Sequence, residues 1–359
     1  MGKKFAVNIE LEIDPNEVLE LWSRSQKISV FNCPTWWDAA FKAFGEGRSL
    51  VILTIRDQGR LQAYWPFWIK RLGPKDFFVK VIEPVGARMT DYIEPVIAKE
   101  LCSYEVSGAL LARLKELIDF RTILLWSRAP KDDRIRNALQ NSFPDRTHVI
   151  HSQDQRTFQT KFQNTYGEFE RSIPKNKRQS VRRVTRRLKE RGDVYLYVAQ
   201  TRDEIKDRIP VLCEMHGKEW NSRGMPSDLQ NKKVREFYEL IAENMPIEML
   251  NYSELRFDEK PISIMYNFIY QDMIRLYKIA HDGDFRSFGP GSMHIAELAR
   301  WGIKNEVAGI DYMEGEEEWK RRWQNESGST RTFAIASRQG YLVWAWNTKL
   351  RKLIIEYKI

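Results

Sequence analysis

Cysteine is scarce in this chain, and its three cysteines, Cys33, Cys102 and Cys213, lie far apart in the sequence. Three scattered thiols are too few for a disulfide framework and lack the paired spacing of a zinc site. We therefore expect a reducing compartment and no metal cofactor. Cys213 shares a predicted helical face with His216, but a small buried thiol explains it more simply than a nucleophile does.

Long apolar runs are missing as well. The longest candidate, residues 50–55, has the length of a strand, and the first residues lack the apolar core of a signal peptide. The sequence therefore predicts a cytoplasmic protein without a membrane span.

The basic charge of the chain is not spread evenly. The formal net charge is +9, from 58 Lys and Arg against 49 Asp and Glu. Ten Lys and Arg but only one acidic residue fall between Arg171 and Arg191, so this segment accounts for the whole excess. Such a concentration argues against a protein coated for DNA binding and for one basic feature with a local task.

The length and the apolar content suit two domains. The chain has 359 residues, of which 42% are apolar, and hairpin signals alternate with helical periodicity in both halves. This mixture predicts an α/β fold with mixed sheets. We place the first domain at residues 1–155 and the second at residues 156–359.

The most informative segment is Arg286–Gly291, which reads Arg-Ser-Phe-Gly-Pro-Gly. Alternating apolar residues at 273–280 predict a strand before it, and helical periodicity from Met293 to Trp301 predicts a helix after it. A glycine turn at a helix start presents unpaired backbone N–H groups, where the helix dipole also favours an anion. A diphosphate would suit this point, although glycines at such a turn also occur for the turn alone.

The segments around this loop follow the order found in a known family. They are a basic run, a helix with His216, a hairpin, the loop, a further strand and a helix start, at residues 177–188, 215–224, 255–267, 286–291, 307–313 and 316–323. In this order they resemble the GNAT-type cellulose-biosynthesis acetyltransferase-like family, which is similar in fold to the Fem-type peptidoglycan aminoacyl ligases. The resemblance covers residues 160–325, and more loosely the first half, and implies tandem GNAT-like domains.

The resemblance implies acyl-CoA as the co-substrate. In such proteins the strand before the loop diverges from its neighbour, so its backbone can pair with pantetheine while the glycines admit the diphosphate. Carried onto this chain, the cofactor-binding residues are Arg286, Gly289, Gly291, Ser292 and Met293. Arg286 would contribute charge, and Ser292 and Met293 their backbone N–H groups.

Two groups of residues are candidates for the acceptor side. His216 and Trp220 match the family's helix pattern of His, three residues, Trp, and an imidazole can take a proton from an attacking ammonium. Asp311 and Glu314 end a predicted strand, where a carboxylate would bind the amine or accept its proton. The glutamates that follow also suit the first turn of a helix for reasons of its dipole alone.

The proton donor to the departing thiolate is less evident. Relatives often carry Tyr directly before Lys320, which we assign to substrate binding, whereas Trp319 stands there in this chain. An indole cannot replace a phenol as an acid. Tyr277 and Tyr312 are then the candidate donors, and we favour Tyr277.

The basic run forms a predicted helix whose arginines share one face by their spacing, at positions 182, 183, 186 and 187. We assign Arg182, Arg186 and Lys175, at the helix entrance, to substrate binding. The partner would be a nucleotide diphosphate, a lipid phosphate or transfer RNA. A solvated helix face is the alternative.

We therefore expect an acyl-CoA-dependent N-acyltransferase that acts by direct attack in a ternary complex. The acceptor implied by the resemblance is an amino sugar or another precursor of a surface polysaccharide. The alternatives are a Fem-like ligase that uses aminoacyl-tRNA, and a catalytically silent GNAT-fold binding protein.

Overall fold

The computed structural model describes residues 5–25, 29–72, 79–131, 133–143, 148–337 and 340. In chain order its strands are β1 (Val7–Glu10), β2 (Ser49–Asp57), β3 (Arg60–Leu72), β4 (Val79–Pro84), β5 (Val96–Ile97), β6 (Thr122–Pro130), β7 (His148–Lys161), β8 (Val194–Val198), β9 (Leu250–Phe257), β10 (Lys260–Tyr270), β11 (Met273–His281), β12 (Gly309–Glu314) and β13 (Glu326–Ser337). Its α-helices are α1 (Pro15–Arg24), α2 (Pro34–Phe44), α3 (Ser103–Glu116), α4 (Asp133–Ser142), α5 (Tyr166–Ser172), α6 (Lys175–Lys189), α7 (Arg202–Asn221), α8 (Lys232–Asn244), α9 (Pro290–Lys304) and α10 (Glu318–Arg321). None of these helices is long and apolar enough to cross a membrane.

The chain divides into two compact units, residues 1–155 with 329–359 and residues 156–328. In unit 1 the strands follow the order β1-β2-β3-β4-β6-β13, with β5 paired to β3. Strands β1 to β4 form an antiparallel meander, whereas β6 is parallel to β4 and antiparallel to β13. Trp65, Phe67 and Trp126 lie in the core between this sheet and α3.

Unit 2 repeats this order of elements. Its strands follow β7-β12-β11-β10-β9-β8, where β8 to β11 form an antiparallel meander, β12 is parallel to β11, and β7 is antiparallel to β12. In each unit a helix, α3 or α9, connects the last meander strand to the parallel strand. The predicted mixed α/β fold with tandem GNAT-like units is therefore confirmed.

The last strand of unit 1 comes from the far end of the chain. The sequence prediction counted residues 329–359 with the second half, whereas β13 pairs with β6 from Thr330 to Ala336. Arg331 also forms an ion pair with Asp154 of the same unit. A strand belongs to the sheet that binds its backbone, and local sequence patterns do not carry that information.

The sheet of unit 2 separates two layers of helices. Met265 packs in a cluster with Ile295 and Leu298 of α9, while its neighbour Tyr266 contacts Tyr238 of α8. Because successive strand residues point to opposite faces, α8 and α9 lie on opposite sides of β10. The loop that precedes α9 leads from the end of β11 to the layer that contains α9.

Candidate active site

Strands β11 and β12 are paired over only the first part of their lengths. Met273–Arg275 lie opposite Gly309–Asp311, and no later pair of these strands is found in the described part of the chain. Beyond this point β11 continues to His281 and β12 to Glu314. The strands diverge, and the edge of β11 that faces β12 is left without a strand partner over 276–281.

A β-bulge lies at the point of divergence. Tyr266 faces Lys278 and Asn267 faces Leu276, so Tyr277 has no counterpart on β10. A bulge bends its strand and redirects the side chains that follow. The bulge therefore lies close to the point where the pairing of β11 with β12 ends.

The bend of β12 is held by one of the predicted catalytic residues. Met313 has a φ of 63°, and the register of β12 with β7 shifts between Asp311 and Glu314. The Met313 N–H donates to Asp311 Oδ1 over 2.8 Å, and the Asp311 side chain is buried. One oxygen of this carboxylate is thus engaged in shaping β12, and its catalytic role stays a prediction.

The predicted phosphate loop is a 3₁₀ helix, Gly283–Phe288, followed by Gly289 and the first turn of α9. Gly289 has a φ of 59° and a ψ of 56°, a left-handed conformation that suits glycine. The N–H groups of Ser292 and Met293, predicted as ligand donors, point to Gly289 O at 3.0 and 3.4 Å. The Gly291 N–H has no acceptor among the described residues, so it is the free donor of this turn.

Position 291 requires glycine because a neighbouring side chain lies against its backbone. A Cβ at this position would lie 2.5 Å from both Cε1 and Nε2 of His281. The His281 ring therefore lies directly against the backbone of the loop. Gly289 differs, because a Cβ there would meet no atom within 4 Å.

A buried chain of side chains supports the loop from below. His281 Nδ1 lies 3.1 Å from Ser263 Oγ, which lies 2.8 Å from His294 Nδ1, and His294 Nε2 lies 2.9 Å from Ser253 Oγ. Burial lowers the pKa of His294 to about 3 and also lowers the pKa of His281. These neutral groups connect β9, β10, β11 and α9 beneath the loop.

Lys177 of α6 adds a cation to the first turn of α9. Its Nζ donates to Ser292 Oγ over 2.6 Å and lies 4.9 Å from the centre of the Trp323 ring. Burial, aided by the positive charge of Arg322, lowers the pKa of Lys177 to about 8. It has no carboxylate partner among residues 148–337. The sequence prediction named Lys175, which is exposed, and not Lys177. Only the tertiary contact of Lys177 with Ser292 distinguishes the two lysines.

His216 and Trp220 come together as predicted neighbours on α7. Their rings are stacked at 5.4 Å, and His216 Nδ1 lies 2.7 Å from Ser227 Oγ. Burial, followed by the charge of Lys278, lowers the pKa of His216 to about 4. At neutral pH this imidazole is uncharged and has one nitrogen in use.

A carboxylate that sequence reasoning missed lies on the same helix. Glu219 Oε2 accepts the backbone N–H of His281 over 2.9 Å, at the unpaired end of β11, and the carboxylate pairs with Arg223. Its place directly before Trp220 in the recognised helix pattern was the available signal.

The two candidate proton donors, Tyr277 and Tyr312, differ in their exposure to solvent. Tyr277 is partly buried at the bulge, 5.2 Å from Phe268 and 5.9 Å from Tyr238 between ring centres. Tyr312 is fully buried, its hydroxyl lies 3.0 Å from Thr160 Oγ1, and burial raises its pKa. Tyr277 is therefore the better placed of the two.

Lys320 and Glu314 meet in the turn between β12 and α10. Lys320 is buried, and its Nζ donates to the Glu314 carbonyl and forms an ion pair with Glu317 at 3.1 Å. Its ammonium is thus satisfied within the protein. A substrate contact by either residue stays a prediction.

The arginines of α6 fall into two sets. Arg182 pairs with Glu170, with Nε 2.7 Å from Oε1, and Arg186 faces Glu190 at 3.8 Å. Both line a groove of about 550 Å³ between α5, α6 and α9. On another side of the helix, the guanidinium carbon of Arg187 lies 5.5 Å from the centre of the Phe288 ring, within the phosphate loop.

Comparison with known proteins agrees with this geometry. Residues 175–321 match the family described as acetyltransferase (GNAT) domain. No curated protein sequence matches the chain. No group of three or more His, Cys, Asp or Glu in the described ranges is placed to hold a metal ion.

The fold also occurs in solved structures of low sequence identity. FemX superimposes with a TM-score of 0.64 at 10% identity, over 95% of this chain and 99% of that chain. A conserved protein of unknown function from Bacteroides thetaiotaomicron gives 0.55 at 13% identity, over 92% of this chain and 100% of that chain. L-PGS from Bacillus licheniformis gives 0.54 at 10% identity, over 94% and 96% of the two chains. Such identities show the fold alone, and together with the family match over residues 175–321 they support a GNAT-type fold.

Proposed function

We propose that this protein is an acyl-CoA-dependent N-acyltransferase. The observation that carries the proposal is the succession of a bulged strand that leaves its parallel neighbour after Arg275 and a glycine loop that starts α9. The unpaired edge of β11 offers backbone groups to an extended pantetheine arm. The loop offers an anion site at its end, formed by the free Gly291 N–H, the helix dipole and Lys177.

The proposed reaction is a direct attack of an amine on the thioester. The open edge of β11 would supply the N–H that stabilises the developing oxyanion. His216, neutral at pH 7, would accept a hydrogen bond from the amine, and Asp311 would take its proton. Tyr277, at the bulge, would return a proton to the thiolate of coenzyme A. No covalent intermediate is required, so the cysteines have no part in the mechanism.

The acceptor that we propose is an amino sugar or a related precursor of a surface polysaccharide. It rests on the resemblance of the segments around the loop to the cellulose-biosynthesis acetyltransferase-like family. Trp220, Glu314 and Lys320 are the proposed acceptor contacts. A cytoplasmic location, favoured by the scattered cysteines, belongs to the same proposal.

A thermal-shift titration tests the acyl-CoA site. A ligand that binds only the folded protein stabilises it, by about 2.7 kcal/mol at one hundred times its Kd. We expect saturable stabilisation by acetyl-CoA or a longer acyl-CoA, and none by adenosine. Gly289→Val should abolish the shift, because a β-branched residue cannot readily adopt the left-handed conformation of Gly289 and would distort the turn that presents the Gly291 N–H.

A matched control separates this effect from general strain. Gly59, in the hairpin between β2 and β3, also has a positive φ and open space around its Cβ position. Gly59→Val should lower the melting temperature but keep the response to acyl-CoA. If no thioester stabilises the wild-type protein, the proposed function is wrong.

A second candidate function has support of its own. FemX shares the fold, and α6 presents exposed basic residues, among them Lys175, Arg183 and Lys189. A Fem-like ligase would use them to bind aminoacyl-tRNA, with an affinity that falls steeply as salt rises. Binding of tRNA without any response to acyl-CoA would favour this function, and a protein that binds an anion without turnover would be a silent binder.

A further inference from the structure

Two arginines of the basic segment lie against the phosphate loop. The guanidinium carbons of Arg187 and Arg191 lie 5.5 and 5.1 Å from the centre of the Phe288 ring. Arg187 lies in the last turn of α6, and Arg191 lies in the turn that follows this helix. Phe288 is the residue before Gly289, and Arg286 belongs to the same short helix.

These guanidinium groups have no acidic partner in the described part of unit 2. The contrast with their neighbours on α6 is direct, because Arg182 pairs with Glu170 and Arg186 faces Glu190. Arg286, two residues before Phe288, is a third exposed cation of this loop, and a bound anion would be attracted to all three. Arginine is also the side chain best suited to bind a phosphate with two hydrogen bonds.

We propose that Arg187 and Arg191 bind the 3′-phosphate of the coenzyme A nucleotide. This assignment rests on the proposed function, which places the diphosphate of the same nucleotide at Gly289–Gly291. The 3′-phosphate is attached to the ribose that follows the diphosphate, so it must lie close to the loop but outside it. The Arg187 and Arg191 side chains, which lie against the Phe288 ring, would meet the phosphate at that position. The site therefore selects a nucleotide with a phosphate on its ribose as well as a diphosphate.

The assignment predicts a preference that a diphosphate site alone would not produce. Wild-type protein should bind acetyl-CoA about 10- to 100-fold more tightly than 3′-dephospho-acetyl-CoA, the range expected for charge-assisted hydrogen bonds to one phosphate. The double variant Arg187→Gln/Arg191→Gln should bind both thioesters with the lower affinity. The measurement is isothermal titration calorimetry of both ligands at one ionic strength.

A helix on the other side of the sheet supplies the control. The variant Lys232→Gln/Lys233→Gln removes an equal charge from exposed residues at the start of α8 and should keep the preference for acetyl-CoA. Equal wild-type affinities for the two thioesters would overturn the assignment while leaving the proposed function intact. An equal loss in both double variants would also overturn it, because it would show a general effect of charge. If neither thioester binds to the wild type, the proposed function fails, and this assignment with it.

Discussion

Replacing Gly291 with alanine should destabilise unit 2 through a single contact, the one with the His281 ring. The added Cβ would lie 2.5 Å from two ring atoms, about 1 Å inside an ordinary carbon contact. The ring cannot move freely, since its Nδ1 lies 3.1 Å from Ser263 Oγ. Overpacking of this kind costs about 1–3 kcal/mol. A loss of about 2 kcal/mol would lower the melting temperature by about 4–8 °C for a domain of this size.

A double-mutant cycle isolates this contact. His281→Ala removes the ring, so Gly291→Ala should cost about 2 kcal/mol less in that background than in the wild type. Gly289→Ala is the comparison, because its penalty comes from a left-handed φ, about 1–2 kcal/mol, and its Cβ meets no neighbour. That penalty should be the same with and without the His281 ring.

The assay is chemical denaturation of the four proteins of each cycle, followed by far-ultraviolet circular dichroism. Coupling between positions 291 and 281, with none between 289 and 281, is the expected result. If Gly291→Ala costs the same in both backgrounds, then the loop requires glycine for its own conformation and the reasoning from the ring contact is wrong.

Three further predictions concern ionisable groups. The pKa of Lys177 is lowered to about 8, and an anion bound in the loop would raise it. Binding of acyl-CoA should therefore take up a proton above pH 8, and the affinity should fall as the pH rises. Calorimetry in buffers of different ionisation enthalpy measures this proton uptake, which Lys177→Met should abolish. The pKa of His294 is lowered to about 3 from an ordinary value of 6.5, so protonation favours the unfolded chain and stability should fall between pH 6.5 and 3; a urea midpoint that falls as steeply in His294→Asn would contradict this. Asp311→Asn keeps an acceptor for the Met313 N–H, so the fold should persist while kcat falls by about 10²- to 10⁴-fold; unchanged turnover would leave Asp311 only its structural role.

Parts of the local structure around the candidate site could be predicted because their signals lie within short stretches of sequence. The loop Arg286–Gly291 lies between a strand and a helix as its pattern indicated, and His216 stacks on Trp220 within one helix. Lys177 and Glu219 were missed. Each is distinguished by a contact with a residue more than 60 positions away, Ser292 and His281 respectively.

The chain by itself determined its mixed α/β elements, its glycine loop and the single concentration of basic charge, because periodicity, turn residues and composition act over short stretches. Only the tertiary structure decided that β13 completes the sheet of unit 1 and that β12 leaves β11 after Asp311. It also decided which arginines of α6 meet glutamates and which meet Phe288. Backbone pairing and the burial of charge depend on partners that are distant in sequence, so no local pattern specifies them.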